Sequence, residues 1–137
     1  MRHITVLFAL FALMGCAEKP FHALTQMEMQ DMEHTGEPNL QVSEQGEVTL
    51  SYLREHDGMT TLYLRTLSHA GWSSPKPVTQ GKDLLVNWAD FPSIIAANDR
   101  HIAQWLVRQE GPAFAYAVYT ASSDGGGERG TTRTRLT

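Results

Sequence analysis

The chain is poor in what most enzymes and binding domains announce themselves with. It has one cysteine in 137 residues, Cys16. A lone cysteine excludes an internal disulfide, and in an exported chain it needs another explanation. The apolar run from Ile4 to Met14 (ITVLFALFALM) is interrupted only by Thr5 and counts 11 residues. A helix that spans a bilayer needs about 20. Positive charge is scarce: 11 Lys and Arg stand against 15 Asp and Glu, with no basic cluster to neutralise a phosphate backbone. That argues against nucleic acid as a partner. The six histidines show no metal-ligand spacing, so no metal site is expected. There is no Gly-x-Ser-x-Gly, P-loop or dinucleotide fingerprint, and no helical pattern follows Gly125-Gly126-Gly127. A phosphate cradle and a cofactor are therefore not expected.

What is present begins at the N-terminus. Arg2, the short apolar run and a small residue before a cut form a secretory signal peptide over residues 1–15. Cys16 directly after Gly15 resembles the lipobox of bacterial lipoproteins. That resemblance implies a diacylglycerol on the Cys16 sulfur, cleavage before it, and usually an acylated amino group. More than one acyl chain gives stable anchoring, so a lipid bilayer is the expected partner. In lipoproteins of proteobacteria an Asp after the cysteine tends to retain the chain at the inner membrane, so with Ala17 there the resemblance implies the outer membrane of the cell envelope. Removal of residues 1–15 takes away Arg2 alone among the charges and leaves 10 basic against 15 acidic residues. Residues 16–37 read as a tether. A short helix from His22 to Glu33 is the alternative there, although isolated helices of that length are marginal. Met27, Met29 and Met32 offer thioether sulfur, but the plain reading is a spacer.

The body of the chain, residues 38–126, reads as all-β. Ile102, Gln104 and Leu106 alternate with Ala103, Trp105 and Val107, the run breaks at Gln109-Glu110-Gly111-Pro112, and a second run follows from Ala113 to Ala121. Period-two alternation bounded by Gly and Pro is a hairpin signal. The same unit occurs upstream: Val48 to Leu53, a turn at Glu55-His56-Asp57-Gly58, and Thr61 to Leu67. Tyr52-Leu53 falls on Trp105-Leu106 at an offset of 53 residues, and Ser68 falls on Ser122 at 54. A period near 50 with several short strands suggests propeller blades, with two unrelated hairpins as the alternative. Between them, Leu84 to Val86 and Ser93 to Ala97 read as short buried strands. They are joined by a loop carrying Trp88, Asp90 and Phe91, in which Pro92 excludes a central-strand position. Two aromatics and a carboxylate make this loop the candidate ligand surface, with Trp88 and Asp90 as its site residues. The competing reading makes Asp90 a turn cap and the aromatics packing.

Ser122-x-Asp124-x-Gly126 resembles the opening of the Asp box (Ser/Thr-x-Asp-x-Gly-x-Thr-Trp) of sialidase-type propellers, the BNR repeats. Together with Leu50-Ser51-Tyr52-Leu53, Gly71-Trp72-Ser73-Ser74-Pro75 and Asn87-Trp88-Ala89-Asp90-Phe91-Pro92-Ser93, it makes residues 38–126 similar to bacterial exo-α-sialidase-like lipoproteins. The resemblance implies an incomplete β-propeller of one to two four-stranded antiparallel blades, a glycan ligand and a glycoside hydrolase lineage. Ser122, Asp124 and Gly126 are implied as a structural turn. Where the box should continue with Thr-Trp, the chain reads Gly127-Glu128-Arg129, and the upstream box keeps only Ser68 and Trp72. Sialidases clamp a carboxylate with three arginines and use an Asp acid with a Tyr–Glu nucleophile. No arginine or tyrosine here sits in a matching signature, so no catalytic residue is carried over, and the chain by itself is expected to be inactive. The alternative is a non-catalytic envelope module that binds glycan or protein. Residues 127–137 are polar and basic with no periodicity, which reads as a frameshifted or disordered tail rather than a packed strand. The expectation is that Thr137 does not end the fold and that nothing after Ala121 covers the open strand edge. The DNA beyond the Gly126 codon, read in the other two frames, tests this.

Overall fold

A computed structural model describes residues 24–87, 89–97, 100–113, 115–123 and 134–136, the last three by their backbone. It is all-β, and no helix occurs among the described residues. The sequence expectations at Cys16, Trp88, Asp124 and Gly126 lie outside them.

Two antiparallel meanders are formed in chain order. The first runs β1 (Thr35–Val42), β2 (Val48–His56), β3 (Met59–Ser68), β4 (Gly71–Trp72) and β5 (Lys76–Gly81). β4 and β5 share the outer edge of β3, β4 opposite Leu67 and Ser68, β5 opposite Thr60 to Leu64. The sheet is thus four strands wide with a divided fourth strand. Pro77 is tolerated in β5 because that strand is an edge and its register shifts beside Pro77. The second meander runs β6 (Ser93–Ala97), β7 (Arg100–Arg108), β8 (Tyr116–Ser122) and β9 (Thr134–Leu136).

Local chemistry sets the hairpins. β2 and β3 pair without a slip from Val48↔Leu67 to His56↔Met59. The two-residue turn between them, Asp57-Gly58, has positive φ at both positions, 51° and 69°. This is the backbone that an Asp-Gly pair takes up most readily, and its twist matches that of the flanking strands. β1 carries a bulge between Gly36 and Asn39, where Glu37 has φ 53°.

The sheets pack face to face. Leu53, Leu62 and Leu64 of the first meet Ile94, Ala103, Trp105, Val107 and Ala121 of the second in one core, joined by Leu84. β6 lies against β1 and β2, so the first strands of the two meanders adjoin. The alternation expected for β7 holds: Ala103, Trp105 and Val107 face the core, and Ile102 faces out.

Four expectations are corrected. The tether is not a spacer to residue 37: β1 opens at Thr35, and no helix forms over the described part of 22–33. A polar stretch becomes a strand there because β2 offers it an edge to pair with. Leu84 to Val86 is no strand; Leu84 makes one isolated bridge to Val107, and Val86 is exposed. β8 starts at Tyr116 rather than Ala113, because Ala115 N donates to the Pro112 carbonyl at 2.8 Å and Gln109 N to the Ala115 carbonyl at 2.9 Å, closing a turn first. The edge after Ala121 is not left open, since β9 pairs with Val118, Tyr119 and Thr120. Backbone pairing needs no apolar pattern, which is why composition misread these residues.

Candidate functional site

The candidate loop owes its position to an interruption in a strand. Ser93 pairs with Gln104. Had that ladder continued for three more positions, Asp90 would stand opposite Val107. Leu84 stands there instead, Leu85 N donates to the Leu106 carbonyl at 3.0 Å, and Arg108 N donates to the Asp83 carbonyl at 2.8 Å. The described residues between Leu85 and Ser93 are therefore looped out from the edge of β7. Asn87 stiffens the loop: its Nδ2 donates to Asp90 Oδ2 at 3.1 Å, and its Oδ1 accepts from Ala89 N at 3.1 Å.

The looped-out segment walls a cleft of about 490 Å3, within the range usual for small-molecule sites. Its other side comes from elements distant in sequence. Asn39 and Gln41 project from β1, Gln104 and Leu106 from β7, and Tyr116 and Val118 from β8. These β7 and β8 residues share the sheet face turned away from the core. Phe91 and Tyr116 are 37% and 45% exposed, so two aromatic side chains are open to the cleft. Gln104 Nε2 donates to Ser93 Oγ at 3.3 Å, with a longer contact of 3.5 Å to the Phe91 carbonyl. Asp90 is exposed and is the sole ionisable carboxylate on the described wall. The sequence singled out Asp90 and missed Asn39, Gln41, Gln104 and Tyr116, whose only local signal was a polar residue at alternate strand positions.

Ser122, expected from the sequence to open a structural turn, lies away from this cleft. It ends β8, opposite Ile102, and lies on the wall of a separate apolar cavity of about 90 Å3 between the sheets, with Leu64, Ile94 and Ala121. Next to it, Ser123 N donates to the His101 carbonyl at 2.9 Å, and Ser123 Oγ accepts from His101 N at 3.0 Å. Ser68, its counterpart in the first meander, ends β3, accepts from Ala70 N at 3.2 Å and donates to the Gly71 carbonyl at 3.3 Å. Both serines thus close the third strand of a meander.

A buried arginine forms a third feature. Arg65 is 5% exposed. Its Nε donates to the Tyr52 hydroxyl at 3.2 Å, its Nη2 to the Gln30 carbonyl at 2.9 Å, and its Nη1 to the Ser73 carbonyl at 3.4 Å. Its guanidinium is occupied in tying the segment around Gln30 onto the first sheet. No cluster of three metal-ligating side chains occurs among the described residues. Comparison with protein-family models, with curated proteins and with solved structures finds no match to the chain.

Proposed function

We propose that this chain is an envelope lipoprotein, anchored through Cys16, whose two meanders are blades of a sialidase-like propeller lineage and whose cleft binds a glycan without hydrolysing it. The observation that carries the reading is the make-up of the cleft. Two exposed aromatic rings, three primary amides, a serine hydroxyl and one carboxylate converge there. Rings with apolar faces and side chains that both donate and accept suit a molecule with C–H faces and many hydroxyls. Hydrolysis of a glycosidic bond needs two carboxyl groups, or a phenol with its carboxylate partner, flanking the bond. The described wall supplies Asp90 alone, and no glutamate is part of it. Support for the blade reading comes from two four-wide meanders in chain order with adjoining first strands.

The test is retention of the full-length chain, in detergent, on immobilised polysaccharides. Retention is expected without release of sugar. Phe91→Ala and Tyr116→Ala, both at exposed positions, are expected to weaken it about tenfold each, the order of a lost aromatic contact. Equal retention of both variants and the parent would remove the cleft from the reading.

A further inference from the structure

The charge of the cleft allows a narrower statement, which rests on the glycan-binding reading above. We infer that the cleft selects neutral pyranosides and rejects acidic sugars, including sialosides. Its described wall holds Asn39, Gln41, Gln104, Ser93 and Asp90 as polar groups, and neither a lysine nor an arginine is among them.

Three described arginines on neighbouring elements stand away from the wall. Arg65 sits in the first sheet and spends its donors on Tyr52, Gln30 and Ser73. Arg108 pairs in register with Tyr116 and shares its face, but it is exposed and stands off the cleft wall. Arg100 lies at the opposite end of β7, beside Ala97. On the described wall a sugar carboxylate would therefore find no bidentate cationic partner, the usual means of holding one. It would also share a small site with Asp90, and like charges so placed disfavour one another.

A neutral sugar meets the opposite situation. Asp90 Oδ2 accepts from Asn87 Nδ2, while no contact within the described residues engages Oδ1, which is left to accept a sugar hydroxyl. An ionised carboxylate is acceptor-only, and hydrogen bonds to it are about twice as strong as neutral ones. The amides of Asn39 and Gln41 can serve hydroxyls as donors or acceptors, and Gln104, whose Nε2 donates to Ser93 and the Phe91 carbonyl, offers its Oε1 as an acceptor. Phe91 and Tyr116 supply apolar faces for the ring. Selectivity then depends on the group at one sugar carbon: a hydroxymethyl is accepted where a carboxylate is refused.

The test uses pairs of sugars that differ only there. Full-length chain in detergent is titrated with methyl glucoside against methyl glucuronide, methyl galactoside against methyl galacturonide, and a methyl sialoside, following backbone amide signals. A neutral member that binds at least about tenfold tighter than its acidic partner, with shifts at Asn39, Gln104 and Tyr116, is the expected result. Asp90→Asn, at an exposed position, should weaken the neutral sugar several-fold and narrow the gap to the acidic one. Equal or tighter binding of the uronides or the sialoside overturns the charge argument and leaves the glycan reading standing. Shifts confined to residues outside the cleft overturn the placement. Failure of every sugar to bind at millimolar concentration overturns the glycan reading and this inference with it.

Discussion

Tyr52 and Trp105, matched by the 53-residue repeat, stand on the same side of their respective sheets. Tyr52 lies on the side of the first sheet turned away from the second, with Tyr63 and Arg65; Trp105 lies on the side of the second sheet turned towards the first, inside the shared core. Each is half of a stacked cross-strand pair, Tyr52 with Tyr63 at 5.6 Å between ring centroids and Trp105 with Tyr119 at 6.3 Å. Their sequence neighbours Leu53 and Leu106 take the opposite sides. The sheets are therefore stacked in the same sense, front of one on back of the other.

Trp105 is the centre of that stack, 1% exposed and among the largest buried side chains. Trp105→Ala removes a ring from between the sheets and leaves a cavity beside Leu53 and Leu62. The expected loss is about 3–5 kcal/mol of stability, read by denaturant or thermal unfolding. A cost below about 1 kcal/mol would mean that the sheets do not pack as described.

The back of the first sheet carries two hydroxyls, Thr49 Oγ1 and Ser51 Oγ, which are buried and have no hydrogen-bond partner among the described residues. A buried polar group without a partner costs about 1–3 kcal/mol, and an apolar group of the same shape avoids that cost. Ser51→Ala and Thr49→Val are expected to leave stability unchanged or raise it by about 1 kcal/mol. Unfolding midpoints that fall would show that the hydroxyls find partners.

Arg65 joins three chain segments through one guanidinium. Arg65→Met fills similar space but leaves the Gln30 carbonyl and the Tyr52 hydroxyl without their donor. A destabilisation of about 2 kcal/mol is expected, together with faster limited proteolysis around Gln30. An unchanged cleavage rate there would remove Arg65 as the tie that holds the segment.

Lipidation is tested by growing cells that express the full-length chain with radiolabelled palmitate. Label is expected on the parent and lost in Cys16→Ser. Equal label on both would end the proposal of an anchor at Cys16.

The two central hairpins were legible because alternating residue type marks a strand. In Ile102 to Val107 that alternation follows burial, whereas in Val48 to Leu53 both faces are covered and the polar Thr49 and Ser51 are buried too. Of the turn expected over Glu55-His56-Asp57-Gly58, only Asp57-Gly58 turns, and Glu55 and His56 belong to β2. β1 was not legible: Asn39 and Gln41 are half-buried, while Leu40 and Val42 face outwards and are exposed, an inversion that hides a strand from any apolar count. β9 was hidden for another reason, since it is held by backbone pairing with β8. Of the cleft, the loop with Asp90 was visible through its aromatics and its proline. The amides were not, because Asn39 and Gln104 meet only after two separate sheets have packed, and the fold alone brings them together.

The same-sense stacking leaves the pair of sheets with two different ends. Leu40 and Val42 are exposed at the front, Ile95 and Ile102 at the back. An object of this kind has polarity but no internal two-fold. Whatever extends it in the manner of its own interior must join front to back, as bricks with a stud side and a socket side do. Such heterologous addition closes into a ring if the rotation per step divides a full turn, and otherwise continues as an open array. The angle between the two sheets, repeated, therefore decides between a finite body and an unbounded one.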